Sequence, residues 1–149
     1  MTQAKWDIRF LRIASREVKW WSKDPDKKVG CVIVSPDRRQ VTMGYNGFAQ
    51  GVKDIPERLA SKATKLLLTV HAELNAILNA RADLTGWTLY VTEPPCVDCA
   101  NAIIQAGIIR VVCPPISPSS SWSVNQYKAK SILIEAGVGS FTIMTEKFE

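Results

Sequence analysis

The sequence holds a single histidine, His71, in the stretch LLLTVHAELNAILNA, and two residues later Glu73 interrupts an otherwise apolar helical pattern. Further on, TEPPCVDCANAIIQAGI places Cys96 and Cys99 at i and i+3, at the start of a second helical pattern. That spacing sets both sulfurs on one side of the first turn. Free amide N–H groups and the helix dipole favour thiolates there. One imidazole and two thiolates suit Zn²⁺. A structural zinc site normally takes four protein ligands, so three leave one position for water, which is the catalytic pattern. Zinc brings such a water toward neutrality in pKa, and a carboxylate beside it can take its proton and pass it on. Glu73 is the residue placed for that role. Cys31 and Cys113 sit in apolar runs, where cysteine behaves as a small buried hydrophobe, and neither is expected on the metal. A redox dithiol is the competing reading of a CxxC pair, but no WCxxC run accompanies this one.

Those four side chains need a scaffold, and the chain supplies a regular one. Lys5–Trp21 reads as an amphipathic helix, with Phe10, Leu11, Ala14, Val18 and Trp21 on one face and Lys5, Arg9, Arg12, Arg16 and Lys19 on the other. VGCVIVS (29–35) is a continuous apolar, β-branched run that predicts a strand buried on both faces. A turn at Ser35–Arg39 leads to a second strand, 40–46, making a hairpin. Asp54 is positioned to cap a short helix over Pro56–Leu66. A helix over His71–Arg81 follows, with Val70, Leu74, Ile77 and Leu78 on its apolar side. The order then alternates: strand 87–92, helix Cys96–Ala106 ended at Gly107, strand 108–113, a Pro/Ser loop at 114–123, helix Asn125–Ala136 and a last strand at 140–145. Trp122 has two readings, flanking a ligand or anchoring that loop, and the anchor is the expectation. Strands followed by helix–strand alternation predict an α/β fold with helices on both faces of a five-stranded mixed sheet. The helix between the last two strands is long enough for a crossover, so that pair is expected to be parallel.

Bulk properties agree with one domain over residues 1–149. Apolar residues make up 46% and charged residues 22% of the chain, ordinary for a globular protein. No run of about 18 apolar residues is present to span a membrane. The N-terminus lacks the charged-then-apolar order of a signal peptide. Four cysteines, two of them in a CxxC, suggest reduced thiols and a cytoplasmic setting. The net charge of +5 is uneven: residues 1–65 carry 14 Lys+Arg against 7 Asp+Glu, a net of +7. A basic half suggests an anionic partner such as a nucleotide phosphate.

The pair HAE and PCxxC, H-x-E…P-C-x-x-C, resembles the zinc nucleobase-deaminase signature. The resemblance to the cytidine/deoxycytidylate deaminase superfamily runs from about Phe10 to the last strand. SKDPDKKVGCVIV, GYNGFAQGV, HAELNAI and PPCVDCANAIIQAGI resemble its deoxycytidylate (dCMP) deaminase branch. The resemblance implies the three-layer α/β/α cytidine-deaminase-like fold. It implies a hydrolase acting on a cyclic amidine, turning dCMP into dUMP and ammonia, with dUMP feeding thymidylate synthesis. It implies zinc on His71, Cys96 and Cys99. It gives Glu73 the proton transfer to N3 and to the leaving amine, and sets the Ala72 N–H near the pyrimidine carbonyl, Asn46 at the sugar and Val70 against the base. It further implies a homo-oligomer, a hexamer above all, with dCTP and dTTP as effectors at Gly44, Tyr45, Asn46 and Gly47.

Two departures stand out. The family often reads NGFPRG where this chain reads Asn46-Gly-Phe-Ala-Gln-Gly51, so position 50 lacks an arginine for phosphate. Lys23, Lys53 and Arg58 are the nearby substitutes, and Lys23 is taken as the substrate contact. Residues 47–70 contain no Cys or His, so one zinc per chain is expected. Other readings stay open: CMP or dCTP as the substrate, or a tRNA adenosine deaminase, which would use the basic first helix. The long 47–70 segment argues against that last reading and against a nucleic-acid partner. The GYNGF context matches neither guanine nor riboflavin-pathway deaminases. A zinc-stabilised binding module without catalysis would leave Glu73 without a role.

Overall fold

The computed structural model describes residues 1–143. Five strands form one sheet in the order β2-β1-β5-β6-β7. These are β1 (Gly30–Val34), β2 (Val41–Tyr45), β5 (Thr88–Val91), β6 (Arg110–Cys113) and β7 (Gly139–Thr142). β1 runs antiparallel to both neighbours, whereas β5, β6 and β7 are mutually parallel. All five residues of β1 are buried, as its continuous apolar run predicts. A second, two-stranded sheet of β3 (Gly47–Phe48) and β4 (Thr69–Val70) is too short to leave a period-2 signal in the sequence.

Alternation along the strands divides the core in two. Val32, Val34, Tyr90 and Val112 face α1 (Gln3–Arg16), which offers Phe10, Leu11 and Ala14. Cys31, Ile33, Leu89, Val91, Val111 and Cys113 face the opposite way. They meet α4 (Ala72–Ala80), α5 (Val97–Gln105) and α6 (Ser123–Glu135) through Ala76, Ala100, Ile103, Ala129 and Leu133. The result is the three-layer α/β/α arrangement. A buried polar knot ties α1 to the sheet: Asp7 accepts from the Tyr90 hydroxyl at 2.7 Å and from both Arg110 Nη atoms at 3.1 and 2.8 Å.

Several local expectations are corrected. The first helix is α1 only to Arg16, after which Val18–Trp21 tightens into a 3₁₀ turn. That change of pitch carries Trp21 off the apolar face, leaving it half exposed and edge-on to Tyr45. The expected helix over Pro56–Leu66 is two helices, α2 (Pro56–Ala60) and α3 (Lys62–Leu68). Ser61 between them is extended and its hydroxyl accepts from the Thr64 N–H, so it caps the second. Asp54 caps neither; its carboxylate pairs with Lys23 at 2.8 Å. Leu78 is exposed, and α4 buries Ala72, Glu73 and Ala76 instead. The reason is the closeness of α4 to β2: a Cβ on Gly44 would lie 2.3 Å from the Ala76 nitrogen. Only alanines fit between elements that near. The last strand starts one residue earlier than expected and ends at Thr142, and positions 144 and 145 of that expectation lie outside the described residues.

β2 lies at the sheet edge. In its register with β1, the outward carbonyls of Met43 and Tyr45 are taken by α4: Asn75 Nδ2 donates to Tyr45 O at 2.8 Å and Asn79 Nδ2 to Met43 O at 3.2 Å.

Candidate active site

Two helix starts converge at one end of the sheet. His71 is the N-cap of α4 and Cys96 the N-cap of α5, both with extended backbone. Neither side chain caps its own helix, so both are left for other partners. Cys99 lies one turn into α5 and Glu73 in the first turn of α4. His71 Nδ1 is 3.4 Å from the Sγ of Cys96 and 3.4 Å from that of Cys99. The three ligand atoms all lie within 4.8 Å of one another. A tetrahedral zinc with Zn–S of about 2.3 Å and Zn–N of about 2.0–2.1 Å needs an S···N separation of about 3.6 Å. The donor set and its spacing therefore fit zinc. Cys31 and Cys113, both buried in strands, are not part of the cluster.

Electrostatics point the same way. Hydrogen bonds from Cys99 and His71 bring the Cys96 thiol down to about 4 against the opposing effect of burial. The hydrogen bond with Cys96 holds the His71 imidazole above its ordinary value. The two N-terminal helix dipoles add positive potential at the same place. Glu73 is 5% exposed, and burial lifts its carboxyl to about 7. A carboxyl titrating near neutrality can both accept and return a proton.

The cluster opens onto a cavity of about 500 Å³, within the range of small-molecule sites. His71, Ala72, Glu73 and Cys96 form its floor and Asn46 part of its wall. Both ends of the Asn46 amide already brace the chain entering β1: Oδ1 accepts from the Val29 N–H and Nδ2 donates to Lys27 O, each at 2.8 Å. Val70 pairs with Gly47 in the small sheet and does not line this cavity. Nor does Lys23, held by Asp54 with its side chain 70% exposed. Tyr45, Asn46 and Gly47 border a separate cavity of about 110 Å³, and Gly44 lies instead against α4.

Other residues reach the site that sequence reasoning did not place there. At the mouth, Lys27 pairs with Glu93 at 3.2 Å, Lys65 is buried between Asp24 and Asp26, and Lys62 stands exposed. Trp122 lines the cavity, its ring edge-on to His71 with centroids 6.3 Å apart, a place that suits the ligand-flanking role rather than the favoured role of loop anchor. No periodicity marks these residues, because they meet the site only through tertiary contacts.

The family model for the cytidine and deoxycytidylate deaminase zinc-binding region matches residues 4–114. The chain belongs to this family. Among individual relatives, it is 41% identical over 137 residues to an uncharacterized deaminase of Aliivibrio fischeri, covering 91% of both chains. It is 42% identical over 127 residues to the deoxycytidylate deaminase of Mycobacterium phage D29, covering 76% of this chain and 98% of that one. It spans 54% of the length of a probable deoxycytidylate deaminase of Caenorhabditis elegans and 64% of the human deoxycytidylate deaminase. Among solved structures, the dCMP deaminase of cyanophage S-TIM5 in complex with dCMP and dUMP superposes with a TM-score of 0.74. That match covers 96% of this chain and all of the other at 20% identity, and so speaks to the fold.

Proposed function

We propose that this chain is a zinc-dependent hydrolase that deaminates dCMP to dUMP with release of ammonia, supplying dUMP for thymidylate synthesis. The observation that carries the reading is the buried Glu73 carboxyl beside the His71–Cys96–Cys99 cluster, at the floor of a cavity large enough for a nucleotide. The 42% identity with the phage D29 deoxycytidylate deaminase, over nearly all of that protein, supports the choice of substrate.

His71, Cys96 and Cys99 would hold one zinc ion, which when bound supplies a water acidic enough to act as nucleophile at neutral pH. Every other task falls to the chain. Glu73 takes a first proton from the nucleophile and delivers it to N3 of the pyrimidine, then takes a second from the newly added hydroxyl and passes it to the departing amino group. Its raised pKa suits both directions of transfer. The Ala72 N–H, at the first position of α4, has no intrahelical acceptor and can donate to the pyrimidine carbonyl. Trp122 flanks the base from the side of His71. The 5′-phosphate falls to the mouth, where Lys62 has no ion pair among the described residues and Lys27 can exchange Glu93 for phosphate.

A dCTP or dTTP effector at Tyr45, Asn46 and Gly47 would require the 110 Å³ cavity to open and the Lys23–Asp54 pair to part. The exposed apolar side chains Trp20, Leu66 and Leu67 agree with a homo-oligomer, and a hexamer is the assembly the family resemblance favours.

The test is ammonia release by the zinc-loaded protein from dCMP, CMP, dCTP, cytidine and a tRNA anticodon hairpin in parallel. dCMP is expected to be the best substrate. Lys62→Ala should raise KM for dCMP and leave KM for cytidine unchanged. Reaction with the hairpin alone would overturn the assignment.

A further inference from the structure

The start of α6 places three side chains at the site, two of them on the turn that carries Cys96. Trp122, its N-cap, stands beside His71. Asn125 Oδ1 accepts from the Val97 N–H at 2.8 Å. Gln126 Nε2 donates to Pro94 O at 3.3 Å. The two amides therefore grip the chain on both sides of Pro95-Cys96.

Each contact has a physical rationale. Val97 opens α5, so its N–H has no acceptor within that helix. An N-cap side chain normally serves the free amides of a first turn. Here the N-cap is Cys96, whose sulfur is turned to the metal cluster and makes no capping bond. Asn125 supplies an acceptor from another helix for the first of those amides, Val97, which an N-cap side chain does not serve, and the sulfur stays available. Gln126 tells a similar story by its cost. It is 7% exposed, and its Oε1 has no partner among the described residues. An apolar side chain of similar size would fill the space without stranding an acceptor. The amide is useful there for its other end, the bond to Pro94 O.

We propose that Asn125 and Gln126 are positioning residues that hold Cys96 in metal-binding geometry. The inference rests on the reading of His71, Cys96 and Cys99 as metal ligands. Partners that orient a ligand in this way typically affect metal affinity or activity 10- to 100-fold, as an order of magnitude.

The experiment uses the full chain and the variants Asn125→Ala, Asn125→Asp and Gln126→Leu, with folding checked by circular dichroism. Zinc affinity is read by competition with a chromophoric chelator, and ligand geometry by the thiolate-to-metal absorption of the cobalt form. Asn125→Ala and Gln126→Leu are expected to weaken zinc binding roughly 10-fold or more and to shift the cobalt spectrum. Asn125→Asp keeps the acceptor and should restore affinity to within about twofold of the parent, since the retained bond is what orients the ligand. In the zinc-loaded enzymes kcat should fall while KM for dCMP stays nearly constant. Parent-like affinity and spectrum in both Asn125→Ala and Gln126→Leu, even with lowered melting temperatures, would make the pair merely structural and overturn the proposal. Failure of the underlying reading looks different: His71→Ala would then bind zinc as tightly as the parent.

Discussion

Replacing Glu73 by glutamine should stabilise the metal-free protein while disabling it as a catalyst. Burial holds the Glu73 carboxyl at about 7, against an ordinary value of 4.5. Because the folded-state value is the higher one, the carboxyl favours folding fully below pH 4.5. That contribution drains away as pH rises and is gone above pH 7. At about 1.4 kcal/mol per tenfold change in proton affinity, the loss between pH 4.5 and 8 is about 3 kcal/mol. Glutamine has nearly the same shape and cannot ionise, so Glu73→Gln escapes the loss. Chelator-stripped parent and variant should therefore differ in stability by about 3 kcal/mol more at pH 8 than at pH 4.5. For a chain of this size that is roughly 6–12 °C in Tm. Urea or thermal melts at the two pH values measure it. A stability gap that is the same at both would refute the argument that Glu73 is kept near neutrality by burial. The zinc-loaded variant should retain its metal and lose roughly 10²–10⁴-fold in kcat.

Other outcomes follow from the same structure. Asp7→Asn removes the anion beside Arg110 and Tyr90 and should cost about 3 kcal/mol, read by denaturant melts. Burial pushes the Asp7 carboxyl up, but hydrogen bonds from Arg110, Tyr90 and Gln3 outweigh it and hold it below 3.8. Its contribution is present above that pH and lost below it, so parent and Asp7→Asn should converge in strong acid. Gly44→Ala forces a methyl to within 2.3 Å of the Ala76 nitrogen and 2.4 Å of the Ala72 carbonyl. It should destabilise by roughly 2 kcal/mol or more and lower activity, because α4 carries His71 and Glu73; an unchanged Tm would refute that packing. Treatment with a strong chelator should abolish ammonia release and zinc should restore it, with metal content followed by atomic absorption.

The chemistry-bearing residues were legible because their types are rare and their spacing is local. His71 and Glu73 share one helical turn, as do Cys96 and Cys99. The five main strands were legible because burial on one or both faces imposes a pattern on consecutive residues. Residues whose role depends on the third dimension were not. Asn125 and Gln126 meet Val97 and Pro94 across 28 and 32 residues of chain, and neither amide stands out in a helical segment. For Trp122 the sequence allowed both a ligand-flanking and a loop-anchoring role, and the choice needed the α6 crossover that brings it to His71. Leu78 misled because helix periodicity identifies an apolar stripe but not how near the next element lies. Close approach to Gly44 selected the alanine face instead.

The asparagines of α4 also bear on how copies of the chain can meet. An edge strand ordinarily offers its outward peptide groups as a template on which a neighbour's strand can extend the sheet. Asn75 and Asn79 occupy two of the carbonyls that such an extension would need along β2. A continuous intermolecular sheet through that edge would therefore have to compete with both amides. That competition favours assemblies that match side-chain surfaces on this side, with shape rather than backbone ladder deciding which copies fit.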